Sequence, residues 1–176
     1  MKRFSKGGQI WVETVIYTLI GLTIIGIILA AAKPKIEAKK DDILIEQAIE
    51  SLENINEKIY DVIEGGAGNK RSVDLKIGKG KLIINMAEDT ISWLLESSFE
   101  YSEVGSTIPS GSINITTKDS SPFDVELKMG YSFDIKYSDQ NFGTKELNAA
   151  SLPYKLFIEN KGSDLTGNIV ISITEA

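Results

Sequence analysis

Carboxylates are the side chains of this sequence that could carry acid–base or metal chemistry. The 176 residues include no cysteine and no histidine, which excludes thiolate nucleophiles, thiolate zinc sites and histidine-based proton transfer. The acid pairs Asp41-Asp42 and Glu88-Asp89 could bind a hard cation, but neither has the spacing of a calcium loop. We interpret them as solvated charges at a helix start and in a turn. We predict no metal, no cofactor and no enzymatic activity; a secreted enzyme that uses carboxylates is the weakest alternative.

One further carboxylate, Glu13, is the only charged residue in the apolar run Ile10–Ala32. At about 1.5 Å per residue, a helix of this length reaches roughly 35 Å, enough to cross a hydrocarbon core of about 30 Å. Trp11 and Tyr17 lie towards its N-terminal end, where aromatic side chains often mark a membrane interface. A charge in a membrane helix costs about 2.5–3.5 kcal/mol at the centre and usually has a partner. Glu13 therefore either lies solvated among the headgroups or has a functional partner.

The residues that flank this run set its orientation. Lys2, Arg3 and Lys6 precede it, and basic flanks favour the cytoplasmic side. Lys33, Lys35, Lys39 and Lys40 follow it and reduce this charge bias, but long domains are translocated largely regardless of charge, which keeps the C-terminal part outside. A secretory signal with cleavage after the alanine run ending at Ala32 and an uncleaved signal anchor are alternatives, although the apolar part of a secretory signal spans only about 7–15 residues. The net charge is −6, which argues against binding to nucleic acid.

The junction Lys6–Glu13, with the sequence KGGQIWVE, resembles the class III signal peptide of archaeal type IV pilins and pilin-like proteins. The resemblance covers about residues 1–32, and Trp11 stands where many members have serine. It implies that a prepilin peptidase cuts between Gly8 and Gln9 and that the helix stays in the mature protein. It also implies that Glu13, the fifth mature residue, pairs with the new α-amino group of a neighbouring subunit.

Beyond the apolar run, apolar residues recur at spacings of three and four, which predicts an amphipathic helix. The chain is thus divided into a leader (1–8), a membrane and assembly helix (9–32), an amphipathic extension (33–64) and an extracellular antiparallel β domain (67–176). Pro34 is expected to kink the helix. Packing of the apolar stripe on the β domain is favoured over a coiled coil. The stripe comprises Ile45, Ala48, Ile49, Leu52, Ile55, Ile59, Val62 and Ile63.

After Ala67 the sequence breaks into short alternating runs separated by turn residues, which predicts strands. Seven or so strands favour a β-sandwich, with a partly open barrel as the alternative; the fold class is α+β, a long N-terminal helix followed by this domain. We expect a hairpin across Gly130 and a final antiparallel pair. The predicted strands are Ser72–Ile77, Lys81–Met86, Thr90–Ser97, Gly111–Thr117, Phe123–Met129, Tyr131–Tyr137, Tyr154–Glu159 and Asn168–Thr174.

Side chains of the β domain offer two further predictions. Asn114 begins the sequon Asn-Ile-Thr, a possible glycosylation site if the domain is exported. The aromatic residues are expected in the core and in cross-strand packing rather than around a ligand. They include Phe99, Tyr101, Phe133, Tyr154 and Phe157.

Together these features predict a pilin-like structural subunit of a cell-surface filament, held in the cell membrane by its N-terminal helix. Its expected partners are the membrane, a prepilin peptidase and other copies of its own helix. The alternative is a monomeric membrane-anchored surface protein, either an adhesin or a minor pilin-like component.

Overall fold

The computed structural model describes the backbone of residues 6–176 and the side chains of residues 11–176. It begins with one helix, α1 (Lys6–Glu64), of 59 residues, about 90 Å long at 1.5 Å per residue. The helix continues through Pro34, so the loss of one backbone donor there does not end it. It ends where Gly66 adopts a φ of 79°, a left-handed conformation that favours glycine after a helix.

Ten strands follow the helix, two more than the sequence predicts. The two that the sequence analysis missed are β4 and β8. The strands are β1 (Lys70–Leu75), β2 (Lys81–Asn85), β3 (Thr90–Ser97), β4 (Thr107–Ser110), β5 (Ile113–Lys118), β6 (Phe123–Gly130), β7 (Asp134–Tyr137), β8 (Thr144–Asn148), β9 (Tyr154–Ser163) and β10 (Ile169–Glu175).

The strands form two sheets, as a sandwich requires. One sheet has four strands in the order β1-β9-β10-β7, and the other has six in the order β4-β5-β6-β3-β2-β8. The final antiparallel pair predicted from the sequence is confirmed as β9 and β10. The α+β class with a sandwich-like domain is therefore confirmed.

The hairpin predicted across Gly130 is wrong. Strand β6 pairs with β3 on one side and β5 on the other, so both of its edges are occupied. The chain instead crosses to the four-stranded sheet, where β7 runs parallel to β10, with Ile135 opposite Ile171. The β domain is consequently not wholly antiparallel.

The C-terminal half of α1 completes the core. It contacts β1 and β9 of one sheet and β3 and β5 of the other, so it closes the space that the two sheets leave open. The apolar stripe predicted from the sequence faces this core: seven of its members are buried, and the eighth, Ile63, is partly buried against them. The opposite face of the helix, which includes Glu46, Glu50 and Glu53, is exposed. The periodicity of the stripe therefore reflects packing on the β domain.

Candidate membrane and assembly helix

The N-terminal half of α1 has no cover from the rest of the chain. Within the described residues it is the single helix long and apolar enough to cross a membrane, and none of its most apolar stretch is buried. Its large side chains, from Trp11 (77% exposed) to Leu29 (63% exposed), lie open on all sides of the helix. An apolar surface of this extent requires a partner outside the chain, because soluble monomers rarely expose more than a few hundred Å² of contiguous apolar area.

The polar groups inside this half are compatible with an apolar environment. Thr18 Oγ1 donates a hydrogen bond to the carbonyl of Thr14 at 2.7 Å, and Thr23 Oγ1 donates to Leu19 at 2.7 Å. Each hydroxyl proton is thus satisfied by the preceding helical turn and needs no water. A Cβ built at Gly21 or Gly26 would meet nothing within 4 Å. These two glycines therefore leave shallow, open places where another helix can approach closely.

Glu13 is the exception in this apolar surface. Its side chain is exposed, and no ionic partner lies near it among the side chains of residues 11–176. The predicted cleavage step at Gly8 and Gln9 lies within the helical backbone, but its side chains fall outside the described part of the chain, as do all of residues 1–5. The cleavage and the pairing of Glu13 therefore remain predictions.

The helix is fixed to the β domain, at the end nearer its apolar half, by a buried carboxylate, Asp41. Its Oδ1 atom lies 2.6 Å from Lys79 Nζ. Its Oδ2 atom accepts hydrogen bonds from the Ser98 backbone N–H at 2.8 Å and from Ser98 Oγ at 2.7 Å. Asp41 is only 8% exposed. We call this group of three residues the proximal anchor.

The proximal anchor corrects the interpretation of Asp41-Asp42 as solvated charges at a helix start. Both residues lie in the middle of α1, and Asp42 pairs on the surface with Lys39. The sequence could have indicated that Asp41 is buried and Asp42 is not, because Asp41 lies four residues before Ile45 and so falls on the buried stripe.

The environment of Asp41 favours its charged form. Burial alone would raise the pKa of this carboxyl group, but the hydrogen bonds from Lys79 and Ser98 outweigh burial and hold the pKa below its usual value. An acid that accepts three hydrogen bonds, one of them from an ammonium group, stays ionised at neutral pH. The anchor is therefore a charged contact under physiological conditions.

A second contact, formed by Asn160 of β9, fixes the distal end of the helix. Asn160 is 4% exposed, and its Nδ2 donates a hydrogen bond to the carbonyl of Val62 at 3.1 Å. That carbonyl lies in the last turn of α1, where helical carbonyls lack intrahelical partners. The Oδ1 of Asn160 accepts a hydrogen bond from the Gly162 N–H at 2.8 Å, which orients the side-chain amide. Sequence reasoning missed Asn160, because nothing local marks a long-range cap.

These contacts make α1 and the β domain one body from Asp41 onwards. Two polar contacts about 21 residues apart along the helix, with the buried stripe between them, resist both sliding and swinging of the helix on the sheets. The apolar half of α1 therefore extends from the β domain along the axis of the packed half of the helix. The β domain is therefore attached to the helix directly and not through a flexible linker.

The other predicted site residues are dispersed. Glu88 forms a surface ion pair with Lys128 at 3.0 Å, whereas Asp89 Oδ1 accepts a hydrogen bond from the Ile135 N–H at 2.8 Å. Asp89 thus caps the start of β7 instead of lying free in solvent. Asn114 is exposed on β5, opposite Pro109 of the edge strand β4. Among the described residues, no group of three or more acids could hold a metal ion.

Most of the named aromatic residues contribute to the core as predicted. Phe133 is buried, and Phe99, Tyr101 and Tyr154 pack against the core. Phe157 differs, because it lies on the outer face of β9 with Lys70 Nζ 4.6 Å from its ring centre. It is covered by lysine side chains rather than by the core, a cation–π contact typical of partly exposed rings.

No family model matches this chain, and neither a curated protein nor a solved structure shows detectable similarity to it.

Proposed function

We propose that this chain is a pilin-like structural subunit of a cell-surface filament, processed by a prepilin peptidase and retained by its N-terminal helix. The observation that carries this proposal is the contrast within α1. Its C-terminal half is fixed to the β domain at both ends, while its apolar half is uncovered. A bilayer covers that half before assembly, and the apolar halves of neighbouring subunits cover it in the filament. The β domains then form the outer surface, on the extracellular side.

The proposed processing step is cleavage between Gly8 and Gln9. Glycine lowers helix stability by about 1 kcal/mol relative to alanine, so Gly7-Gly8 favours local unwinding of the helix for access by a protease. Cleavage removes three basic residues and creates a new α-amino group on Gln9. The loss of those charges removes the strongest obstacle to moving the helix out of the membrane.

Glu13 has a defined role in this proposal. It lies four residues after Gln9, about 6 Å along the helix axis. A neighbouring subunit displaced outward by about 6 Å would therefore bring its Gln9 amine level with Glu13. In an apolar surrounding, such an ion pair is much stronger than in water. This contact would select the register of one helix on the next, and it would compensate the cost of placing Glu13 among apolar side chains.

The experiment compares filament yield for Glu13→Gln and for Glu50→Gln, a control that removes an exposed acid from the same helix beyond its apolar half. Yield is measured as sheared filament protein relative to total membrane-inserted protein. We expect Glu13→Gln to lower the yield at least tenfold and Glu50→Gln to leave it unchanged. Equal yields for both would refute the role of Glu13. If the native chain forms no filaments at all, the alternative of a monomeric membrane-anchored surface protein replaces this proposal.

A further inference from the structure

The stretch of α1 between the apolar half and the proximal anchor, residues 33–40, is a basic neck. It carries Lys33, Lys35, Lys39 and Lys40, all exposed, and a single acid, Glu37. In a chain of net charge −6, this local excess of positive charge opposes the general trend.

The ion pairs within and next to the neck leave its lysines available. Lys33 lies 3.9 Å from Glu37, with both side chains more than half exposed, and Lys39 pairs with Asp42 on the surface. Exposed pairs of this kind contribute little free energy. Among the described residues, no carboxylate lies within ion-pair distance of Lys35 or Lys40.

The geometry of the neck directs these lysines towards the bilayer. If the apolar half ends at Ala32, the neck residues lie about 1.5 to 12 Å above the hydrocarbon boundary. The headgroup layer on each side is about 5–8 Å thick. Side chains on a helix tilt towards its N-terminus, which here is the membrane side, so even Lys40 reaches back towards the phosphates.

The lysines also surround the helix. At about 100° per residue, Lys33 and Lys40 fall on one side of α1, and Lys35 and Lys39 fall on the opposite side. Ammonium groups on two opposite sides of a membrane helix, spread over about 10 Å of its length, can reach lipid phosphates on both sides of it.

We propose that the basic neck, residues 33–40, acts as a collar that binds the phosphate groups of anionic lipids in the outer leaflet. This inference rests on the proposed membrane insertion of α1. Because Asp41 fixes the β domain directly after the collar, the collar also sets the height of the domain above the bilayer. Once the leader is removed, it is the basic cluster that remains next to the apolar half, and so it holds the processed subunit at a fixed depth until assembly.

The test is lysine footprinting on the full chain in nanodiscs, which leave both sides of the bilayer open. An uncharged amine-reactive reagent is applied to discs of phosphatidylcholine and to discs with an equal mixture of phosphatidylcholine and phosphatidylglycerol. Labelling rates are read for each lysine by mass spectrometry. Lys161, exposed at the far end of β9, serves as the internal reference. A third sample combines phosphatidylcholine discs with inorganic phosphate.

We expect labelling of Lys35 and Lys40 to slow by about fivefold in the mixed discs, relative to Lys161, in line with the attraction of a lysine to an anionic surface. High salt should reverse the effect, because it screens exposed charges. A triple substitution, Lys33→Gln with Lys35→Gln and Lys40→Gln, should shift the depth of Trp11 in mixed discs, measured by lipid-borne quenchers.

Two results would overturn the collar. Equal labelling in both kinds of disc would show that the lysines do not bind anionic lipid, and protection by inorganic phosphate alone would show a general anion site. Both leave the proposed function intact. A chain that does not enter nanodiscs would refute membrane insertion itself, and the collar would fail together with the proposed function.

Discussion

The proximal anchor should contribute measurably to the stability of the β domain. In Asp41→Ala, the Ser98 N–H and hydroxyl lose their acceptor. Because Ser98 is exposed, water can solvate these donors, and what is lost is the net contribution of hydrogen bonds to a charged group, about 1.5–3 kcal/mol. Lys79 also loses its partner, but its side chain is 36% exposed, so water can solvate the ammonium group at little cost. We therefore expect the free energy of unfolding to fall by about 1.5–3 kcal/mol. Asp41→Asn, which keeps an acceptor for Ser98, should cost about 1–2 kcal/mol.

The assay is urea unfolding of the full chain in detergent micelles, followed by the fluorescence of Trp93 in a Trp11→Phe background. Trp93 is a direct reporter, because it is buried and its Nε1 donates a hydrogen bond to the carbonyl of Lys79 at 3.1 Å. The matched control is Asp42→Asn, which removes only the surface pair with Lys39 and should cost less than about 1 kcal/mol. Equal losses for Asp41→Asn and Asp42→Asn would refute the anchor.

The same carboxylate gives a pH dependence with a definite sign. The pKa of Asp41 is lower in the folded chain than its ordinary value of 3.8. The native state therefore binds fewer protons than the unfolded state, and the contribution of Asp41 is complete above that ordinary value and lost as pH falls through the folded pKa. Between pH 5 and pH 3, roughly one unit on each side of that value, the native chain should lose more stability than Asp41→Asn does. Parallel curves would contradict this explanation.

Three further predictions concern the β domain and its helix. Leu52→Ala, at a fully buried position of the stripe, should cost about 2–5 kcal/mol in the same unfolding assay; a loss below about 1 kcal/mol would contradict the packing. Gly80→Ala should cost about 1–3 kcal/mol more stability than Gly66→Ala. Both glycines have a positive φ, but a Cβ at Gly80 would lie 2.2 Å from a carbonyl oxygen, whereas a Cβ at Gly66 would meet nothing within 4 Å; equal losses would contradict this reasoning. The pKa of Tyr137 is raised to about 12, mainly by burial and then by the charge and hydrogen bond of Glu175. In an NMR titration, Glu175→Gln should therefore lower this pKa only in part. A return to the ordinary tyrosine pKa would show that burial is not the main cause.

The helix and the central strands could be predicted because their patterns are local. The stripe from Ile45 to Ile63 repeats at spacings of three and four, and such a repeat arises only when one helical face is buried. Strand β6 alternates between buried and half-buried residues, with Val125 and Leu127 among its inward residues. In these elements the spacing of apolar residues in the sequence directly indicates which side chains are buried.

The missed elements lack that pattern because they lie at sheet edges. Strand β8 buries only Leu147, and β4 contains Pro109 and buries none of its residues. A proline is tolerated there because the outer side of an edge strand needs no donor. The error at Gly130 has a different origin. Strand β7 finds its partner in β10, more than thirty residues further along the chain, and no local signal specifies a pairing over that distance.

The candidate site divides in the same way. Glu13 and the apolar half of α1 are visible in the sequence because a single acid in a long apolar run is unusual. The proximal anchor is not, because its three residues come from a helix, a turn and the end of a strand. Asp41 could be recognised by its four-residue spacing to Ile45, but Lys79 and Ser98 become its partners only through the tertiary fold.

The most direct test of the proposed function is the N-terminus of the protein recovered from the cell surface, read by intact-mass and peptide mass spectrometry. The proposal predicts a mature chain that begins at Gln9 and retains the whole apolar half of α1. A chain that begins at Met1 would identify an uncleaved anchor, and one that begins just after the alanine run ending at Ala32 would identify a secreted protein. Either result would contradict the proposal.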